Sequence, residues 1–398
     1  MASRIPNVFI VAAKRTPFGA FGGKLKDLTA NELGGLASKA ALDTLPEGTP
    51  VDLVIFGNVS QTSNDAAYLA RHVGHRAGLP VHVPALTINR LCGSGFQAVI
   101  NAAHEIKLGE AQIVLTGGSE SMSQAPYALR NLRWGTRYGV DLKGEDTLAA
   151  ALVDRFPTVT PMGITAENLA GQYKITRQDC DEYALSSQHR WANAHQAGLF
   201  EAEIAPVEVK ARKGVEKVTH DEHPRPATTI EQLAKLPSVF IPKTGTVTAG
   251  NASGISDGAA AIVVAGEDAV KQHGLTPLVR VVSYHVVGVE PTVMGIGPVE
   301  AIKGALAKAN LTLKDMDLVE VNEAFAAQYL AVEKELGLDR SKTNTAGGAI
   351  ALGHPLAASG ARILAHLAHR LQATKGKYAV GSACIGGGQG IAVVLERV

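Results

Sequence analysis

LCGSGFQAVINAAHEIKLGEAQIVLTGGSES (91–121) and HPLAASGARILAHLAHRLQATKGKYAVGSACIGGG (354–388) are two versions of one pattern. Each sets a reactive side chain, Cys92 or His354, ahead of a Ser-Gly pair. Each then runs into helical periodicity and ends in an apolar strand closed by small residues. The repetition reads as an internal duplication, with chance likeness between Gly- and Ala-rich stretches as the alternative.

Working outward, short β-rich runs alternate with helical patterns. VFIVAA (8–13) leads through a glycine-rich turn to a helix over 30–45, with Thr29 as N-cap and Pro46 and Gly48 as its stop. DLVIFG (52–57), a helix near 68–77, a helix from Gly93 to Leu108 and the strand QIVLTG (112–117) follow. After about 250 the rhythm resumes with AAAIVVAG (259–266), LVRVVSYHVVG (278–288), a helix over 299–309, DLVEV (317–321), helices over 324–336 and 359–371, and closing strands over 378–383 and 390–395. Such alternation predicts an α/β fold with buried mixed or parallel sheets. Between 121 and 249 it breaks; Trp134, a T-x-x-D helix start at Thr176 and Asp179, and the polar run VKARKGVEKVTHDEHPRP (209–226) read as an insertion.

Composition bounds the function. Lys+Arg 38 against Asp+Glu 37 leaves a net charge of +1, which excludes the basic excess of a nucleic-acid or membrane-surface binder. At 46% hydrophobic the chain can bury a large interior, and 42 glycines with 5% aromatics predict tight turns and close backbone packing. Three cysteines are too few for a disulfide framework and fit a reducing compartment. No apolar run approaches the roughly 18–20 residues of a membrane span. The start MASRIPNVFIVAAKRTPFG has no secretory core, and no acidic residue precedes Asp27. That is a hint of a mitochondrial address without a long cleaved presequence, although Val8–Ala12 serves equally as the first core strand.

Cys92 stands between an extended run and a helix start, where the helix dipole favours a thiolate and free amides can donate. Gly93 and Gly95 would let an acyl group approach the sulfur. A free cysteine is also a small buried hydrophobe, so Cys92 alone decides nothing. His354, one of thirteen histidines, follows ALG at what reads as a turn above an apolar strand end, a usual place for α/β active sites. Cys384 precedes GGGQG, which is no dinucleotide fingerprint because a strand follows it. Both thiols read as lying in exposed glycine turns, outside strand or helix interiors. In VNEAFAAQ (321–328), Asn322 can orient a water or donate to an oxyanion, while Glu323 is either a base or a carboxylate satisfying helix amides.

LCGSGFQAV, TVTAGNASGISDGAAA (246–261), VNEAFAAQ, GGAIALGHP and CIGGGQG occur in that order over essentially the whole chain, and together they resemble the thiolase family. The resemblance implies a two-step thiolytic Claisen cleavage of a 3-ketoacyl-CoA, an acyltransferase reaction that yields acetyl-CoA and a shortened acyl-CoA. Cys92 would be the nucleophile, His354 would help form its thiolate, and Cys384 would protonate the departing enolate and then activate CoA. It further implies two oxyanion holes, one from His354 with a water held by Asn322, the other from the amides of Cys92 and Gly386. CoA would be a co-substrate, with no tightly bound cofactor and no metal. Its contacts would be Ser253, Ala249, Phe325 and Met162, with Arg225 and Gln232 toward the adenine.

The implied fold is two similar halves in a five-layer αβαβα sandwich: 1–120 joined by 250–272, and 273–398, with a loop domain over 121–249 covering CoA. The family commonly forms tetramers, and YALRNLRWGTRYG (127–139) is the candidate contact. Two departures stand out. Ala357 replaces a common glycine near His354, and Pro161 stands where short-chain biosynthetic relatives commonly carry histidine. The second favours a degradative enzyme of fatty acid β-oxidation over a biosynthetic acetoacetyl-CoA thiolase. Retention of both cysteines, the histidine and the asparagine speaks against an inactive acyl-CoA-binding relative.

Overall fold

The computed structural model describes residues 6–211 and 214–398. Arg4, in the segment read as an address, and the Arg212–Lys213 pair of the polar run lie outside the described residues.

The first half builds strands β1 (Val8–Arg15), β2 (Leu53–Gly57), β3 (Ala85–Ile88), β4 (Ile113–Ser121) and β5 (Ser256–Gly266). The second builds β6 (Val279–Gly288), β7 (Leu318–Val321), β8 (Tyr378–Ile385) and β9 (Gln389–Arg397). Hydrogen bonding runs β7-β8-β9-β6-β1-β5-β4-β2-β3, with a two-residue strand, Gly19–Ala20, beside β5. Outward from β1, its neighbours β5 and β4 pair antiparallel, then β2 and β3 parallel. Outward from β6, β9 and β8 pair antiparallel and β7 parallel, and an isolated parallel bridge from Val319 to Thr343 takes the place of a fifth strand. The two halves therefore repeat one order and one set of directions. They join edge to edge only where Phe9 and Ile10 pair with Arg280 and Val279.

Helices α3 (Ser94–Leu108) and α8 (Leu356–Thr374) pack against strands of both halves and form the middle layer. Helices α1 (Ala30–Leu42) and α2 (Leu69–Arg76) cover the outer face of the first half; α6 (Gly297–Ala309) and α7 (Ala326–Leu336) cover the second. The five layers expected of the αβαβα sandwich are present. The sequence explains the middle one, because α8 is apolar or small almost all round and buried from Leu356 through Ala368. Likewise β5 is buried at every residue, the signature of a strand covered on both faces.

Glycines set how closely the middle helices approach. A Cβ on Gly95 would lie 2.4 Å from the Ala361 nitrogen, and one on Gly360 would lie 2.5 Å from the Phe96 nitrogen. Each helix thus presents a bare backbone to the other, and their N-terminal ends, which follow Cys92 and His354, are brought side by side.

Elements end within a few residues of expectation, and the caps follow chemistry. Thr29 and Glu32 form a capping box at α1, as do Thr176 and Asp179 at α5 (Arg177–Gln196). One expectation is corrected: ALG before His354 is a single helical turn, Ala349–Leu352, and no strand end. Gly348 and Gly353 bracket that turn, leaving it too short for a ladder.

The stretch from 122 to 255 supplies α4 (Met162–Tyr173), α5 and small hairpins. Glu167 on α4 pins the distant loop at 246–251 by accepting from Thr246 N and Oγ1 and from Val247 N, at 2.7–2.9 Å. Asn251 then ties that loop to α5 through Asp181 at 2.8 Å, and the Ala326 amide donates to the Asn251 carbonyl. The TAGNASG segment is thereby laid against the start of α7.

Candidate active site

Cys92 sits at the tip of a turn wound tightly by its neighbours. The Ser94 hydroxyl accepts from the Arg90 amide at 2.9 Å and donates to the Leu91 carbonyl at 2.7 Å, while the Leu91 amide donates to Asn89 Oδ1. Leu91 is held at φ +47°, a left-handed conformation that a branched side chain enters only under tertiary constraint. Gly93, the N-cap of α3, lets the Ile385 side chain close over the turn, its Cδ1 2.4 Å from where a Cβ would stand. That contact presses the end of β8 onto the turn.

On β8, Cys384 is the next-to-last residue, paired to Gly390 and 1% exposed. The expectation of an exposed turn is corrected for this thiol, since ladder pairing continues through Ile385 to Gln389 and the turn begins only at Gly386. Gly387 and Gly388 carry that turn with φ of +76° and +80°. The Gly386 amide and the Cys92 amide itself lie near the Cys92 sulfur and favour its anion.

His354 is buried between the 349–352 turn and α8. Its Nδ1 lies 2.5 Å from Ser359 Oγ, which has the Pro355 carbonyl to donate to at 3.2 Å. The ring proton therefore belongs on Nδ1, and Nε2 keeps its lone pair. Asn322 Nδ2 donates toward that Nε2 at 3.4 Å, and Asn322 Oδ1 is buried without a protein partner. The Asn322 amide is fixed by the Ser382 carbonyl at 2.9 Å, so β8 holds this residue too.

Electrostatics correct a second expectation. Burial pushes the Cys92 thiol up to about 11, with the Gly386 and Cys92 amides pulling back and Glu120 pushing further. The helix dipole does not win. Burial also lowers the His354 imidazole to about 4, helped by Arg362, and raises Cys384, helped by Cys92. The free site thus holds two thiols and a neutral imidazole with its lone pair available.

Cys92, His354 and Cys384 share one cavity of about 440 Å³ with Met162, Ala249, Ser253 and Phe325. The rest of its wall is largely apolar, including Leu356, Phe240 and Met122. Two segments of the wall are zipped together, Ala252 bridging Phe325 and the Ser253 amide donating to the Ala324 carbonyl. Arg225 and Gln232 stand apart from this lining on exposed surface. The Arg225 guanidinium donates to the Glu222, His223 and Pro224 carbonyls of its own loop, and Gln232 caps the short helix Ile230–Ala234. Ala357 is fully buried in the first turn of α8 and does not line the cavity, whereas Pro161 does.

Glu323 proves structural. Its carboxylate accepts from Tyr183, Ser187, Asn344 and the Ile350 amide, which occupies it as a hub. Ser359 and Glu167 went unread in the sequence. The SG of HPLAASG signals Ser359, but Glu167 bonds to residues 79 and 80 positions away and leaves no local mark. Among the described residues no group of three His, Cys, Asp or Glu could hold a metal ion, and no helix is long and apolar enough to cross a membrane.

The site now has its geometry, and comparison with known proteins places it. Residues 8–268 match the Thiolase, N-terminal domain family and residues 275–397 the Thiolase, C-terminal domain family. The mitochondrial 3-ketoacyl-CoA thiolase of Mus musculus is 63% identical over 392 residues, 98% of either chain. A crystal structure of human mitochondrial 3-ketoacyl-CoA thiolase superposes with a TM-score of 0.97 at 62% identity, covering 99% of this chain and 100% of that one. The human enzyme in complex with CoA gives 0.96, covering 99% and 98%.

Proposed function

The chain belongs to the thiolase family, and from that membership we propose that it is a 3-ketoacyl-CoA thiolase of fatty acid β-oxidation. It is an acyltransferase that cleaves 3-ketoacyl-CoA with CoA, reversibly, to acetyl-CoA and an acyl-CoA two carbons shorter. One observation carries the reading: two thiols and a lone-pair imidazole converge in a single apolar cavity. The names of relatives at 62–64% identity, mitochondrial 3-ketoacyl-CoA thiolases, support that substrate class and a mitochondrial compartment.

His354 Nε2 takes the Cys92 proton as the sulfur attacks the 3-keto carbon. The resulting alkoxide sits against the Cys92 and Gly386 amides, which already converge on the sulfur. Cleavage of the C2–C3 bond leaves the acyl group on Cys92 and expels the acetyl-CoA enolate, whose oxygen faces His354, now a donor, and a water held by Asn322. Cys384 gives its proton to the enolate carbon. It then takes the proton of incoming CoA, whose thiolate attacks the Cys92 thioester; Cys92 leaves as thiolate and recovers its proton from His354. The high thiol and low imidazole positions mean that this ion pair forms with substrate in place.

CoA enters along Met162, Ala249, Ser253 and Phe325, with Arg225 and Gln232 meeting the adenine outside the cavity. The corresponding organisation is 1–120 with 250–272, a cover over 121–249, and 273–398. Placement of β5 between β1 and β4 supports it. The assembly we assign is a homotetramer joined through 127–139, where Trp134 is 93% exposed with Tyr127 and Leu129 exposed beside it.

The test is turnover of 3-ketoacyl-CoAs from C4 to C16. Cleavage across the series is expected, and Cys92→Ser abolishes it. No turnover despite CoA binding would overturn the enzyme reading, and turnover of C4 alone would indicate the biosynthetic acetoacetyl-CoA thiolase.

A further inference from the structure

One buried acid is left unused by this chemistry. Glu120, on β4, is wholly buried, and among the described residues no lysine, arginine or histidine hydrogen-bonds or pairs with it. Its carboxylate accepts from four neutral donors: Ser60 N at 2.8 Å, Ala357 N at 3.1 Å, Val59 N at 3.2 Å and Asn58 Nδ2 at 3.3 Å. An uncompensated buried charge is expensive, and a core strand position has no local need of one. Its partners explain it. Ala357 lies in the first turn of α8, between the cavity residues His354 and Leu356 and the base of the helix; Val59 and Ser60 follow β2 in the other half. One carboxylate therefore ties the His354 end of α8 to the half that carries Cys92.

We propose that Glu120 is a positioning residue of this site: it clamps the first turn of α8, and with it His354, across the two halves, and sets a negative charge behind Cys92. This rests on the thiolase reading for its consequence in turnover, but not for its effect on the thiol. Glu120 disfavours the thiolate, and burial moves the carboxyl itself up to about 7 despite its amide donors. Facing groups are few. Asp257 on β5 is a like charge, itself next to Glu222; Cys92 lies toward α3; His354 and Cys384 lie across the cavity. The neighbours of Glu120 on its own strand, Ser119 and Ser121, are uncharged. Burial keeps Cys92 a thiol until substrate binds, and the Glu120 charge adds a smaller push in the same direction.

Iodoacetamide alkylation of Cys92, followed by mass spectrometry on the intact free protein from pH 5.5 to 9, tests this without any turnover. The wild type should show log rate rising with unit slope except for a shallow step near pH 7, where Glu120 ionises and opposes the thiolate. The step should offset the line by up to about one pH unit, as expected when a buried carboxylate opposes a neighbouring anion. Glu120→Gln should lose the step and alkylate about tenfold faster at pH 8, and its kcat should fall at least tenfold with KM nearly unchanged. Glu120→Asp should keep the step but lose kcat through shorter reach. A straight unit-slope line in the wild type would overturn the charge assignment even if no variant folds. A Glu120→Gln enzyme with wild-type kcat would overturn the clamp. Neither result would touch the thiolase assignment, which fails only if the wild type cleaves no 3-ketoacyl-CoA.

Discussion

Asn322 shows how much one side chain can do without touching the bond that breaks. Its amide group approaches His354 Nε2 on one side and leaves Oδ1 buried and unpartnered on the other, so it can hold a water against the enolate oxygen. Asn322→Ala should lower kcat about 10²–10³-fold, the usual loss for an oxyanion donor, while KM moves little. Steady-state kinetics on one medium-chain substrate would decide it; an equal rise in KM with kcat retained would place Asn322 in ground-state binding instead. The four side chains of the proposed site, Cys92, Asn322, His354 and Cys384, were legible in sequence because each sits inside a short motif beside glycine or a helix start. The carboxylates that support them were not. Glu120 reaches Ala357 from 237 residues away, and no window of sequence contains both. Thiol acidity was misread for a related reason, because a helix terminus is visible in sequence and the burial that overrides it is not.

Helices α3 and α8 act as a pair whose spacing is set by missing side chains. Gly360→Ala should force its new Cβ against the Phe96 backbone, and Gly95→Ala its own against the Ala361 backbone. Neither obstacle is a flexible side-chain end, so each substitution should cost about 1–3 kcal/mol and lower the thermal midpoint by a few °C. Because the strain separates Cys92 from His354, kcat should fall further than stability alone explains. Calorimetry with kinetics at 15 °C separates the two effects, and full activity in either variant would show that helix spacing does not position the pair. Element boundaries were legible where capping chemistry marks them, as at Thr29 with Glu32. They failed at the last strand residues, since whether Cys384 still pairs depends on Gly390 across the hairpin and on nothing local.

At the scale of the molecule, the duplication read from two segments became a repeated strand order, but the narrow join at Phe9–Ile10 had no sequence signal. Another tie is electrostatic. Arg15 on β1 bonds Glu203 at 2.7 Å and Asp221 at 2.6 Å within the core, and His366 on α8 reaches Glu203 at 2.7 Å. Burial alone would raise the Glu203 carboxyl, yet His366 and Arg15 bring it down to about 2. A depressed carboxyl contributes stability above its unfolded value near 4.5 and loses it as pH falls toward 2, on the order of 3 kcal/mol here. Thermal midpoints should therefore drop between pH 5 and about 2, and Glu203→Gln should flatten that drop while lowering stability at neutral pH. An unchanged slope would remove Glu203 from the acid response. Light scattering tests the proposed homotetramer: the wild type should scatter as a tetramer and Trp134→Glu with Tyr127→Glu as a dimer; a wild-type dimer would overturn the assembly, and a tetrameric variant would move the contact elsewhere.

The kinetic predictions depend on the proposed role of Cys92 as the carrier of the acyl group. Mixing the enzyme with 3-ketooctanoyl-CoA in the absence of CoA and digesting under acid quench should give a Cys92 peptide heavier by a hexanoyl group, cleared on adding CoA. A hexanoyl group found on Cys384, or acetyl-CoA released with Cys92 unmodified throughout, would contradict it.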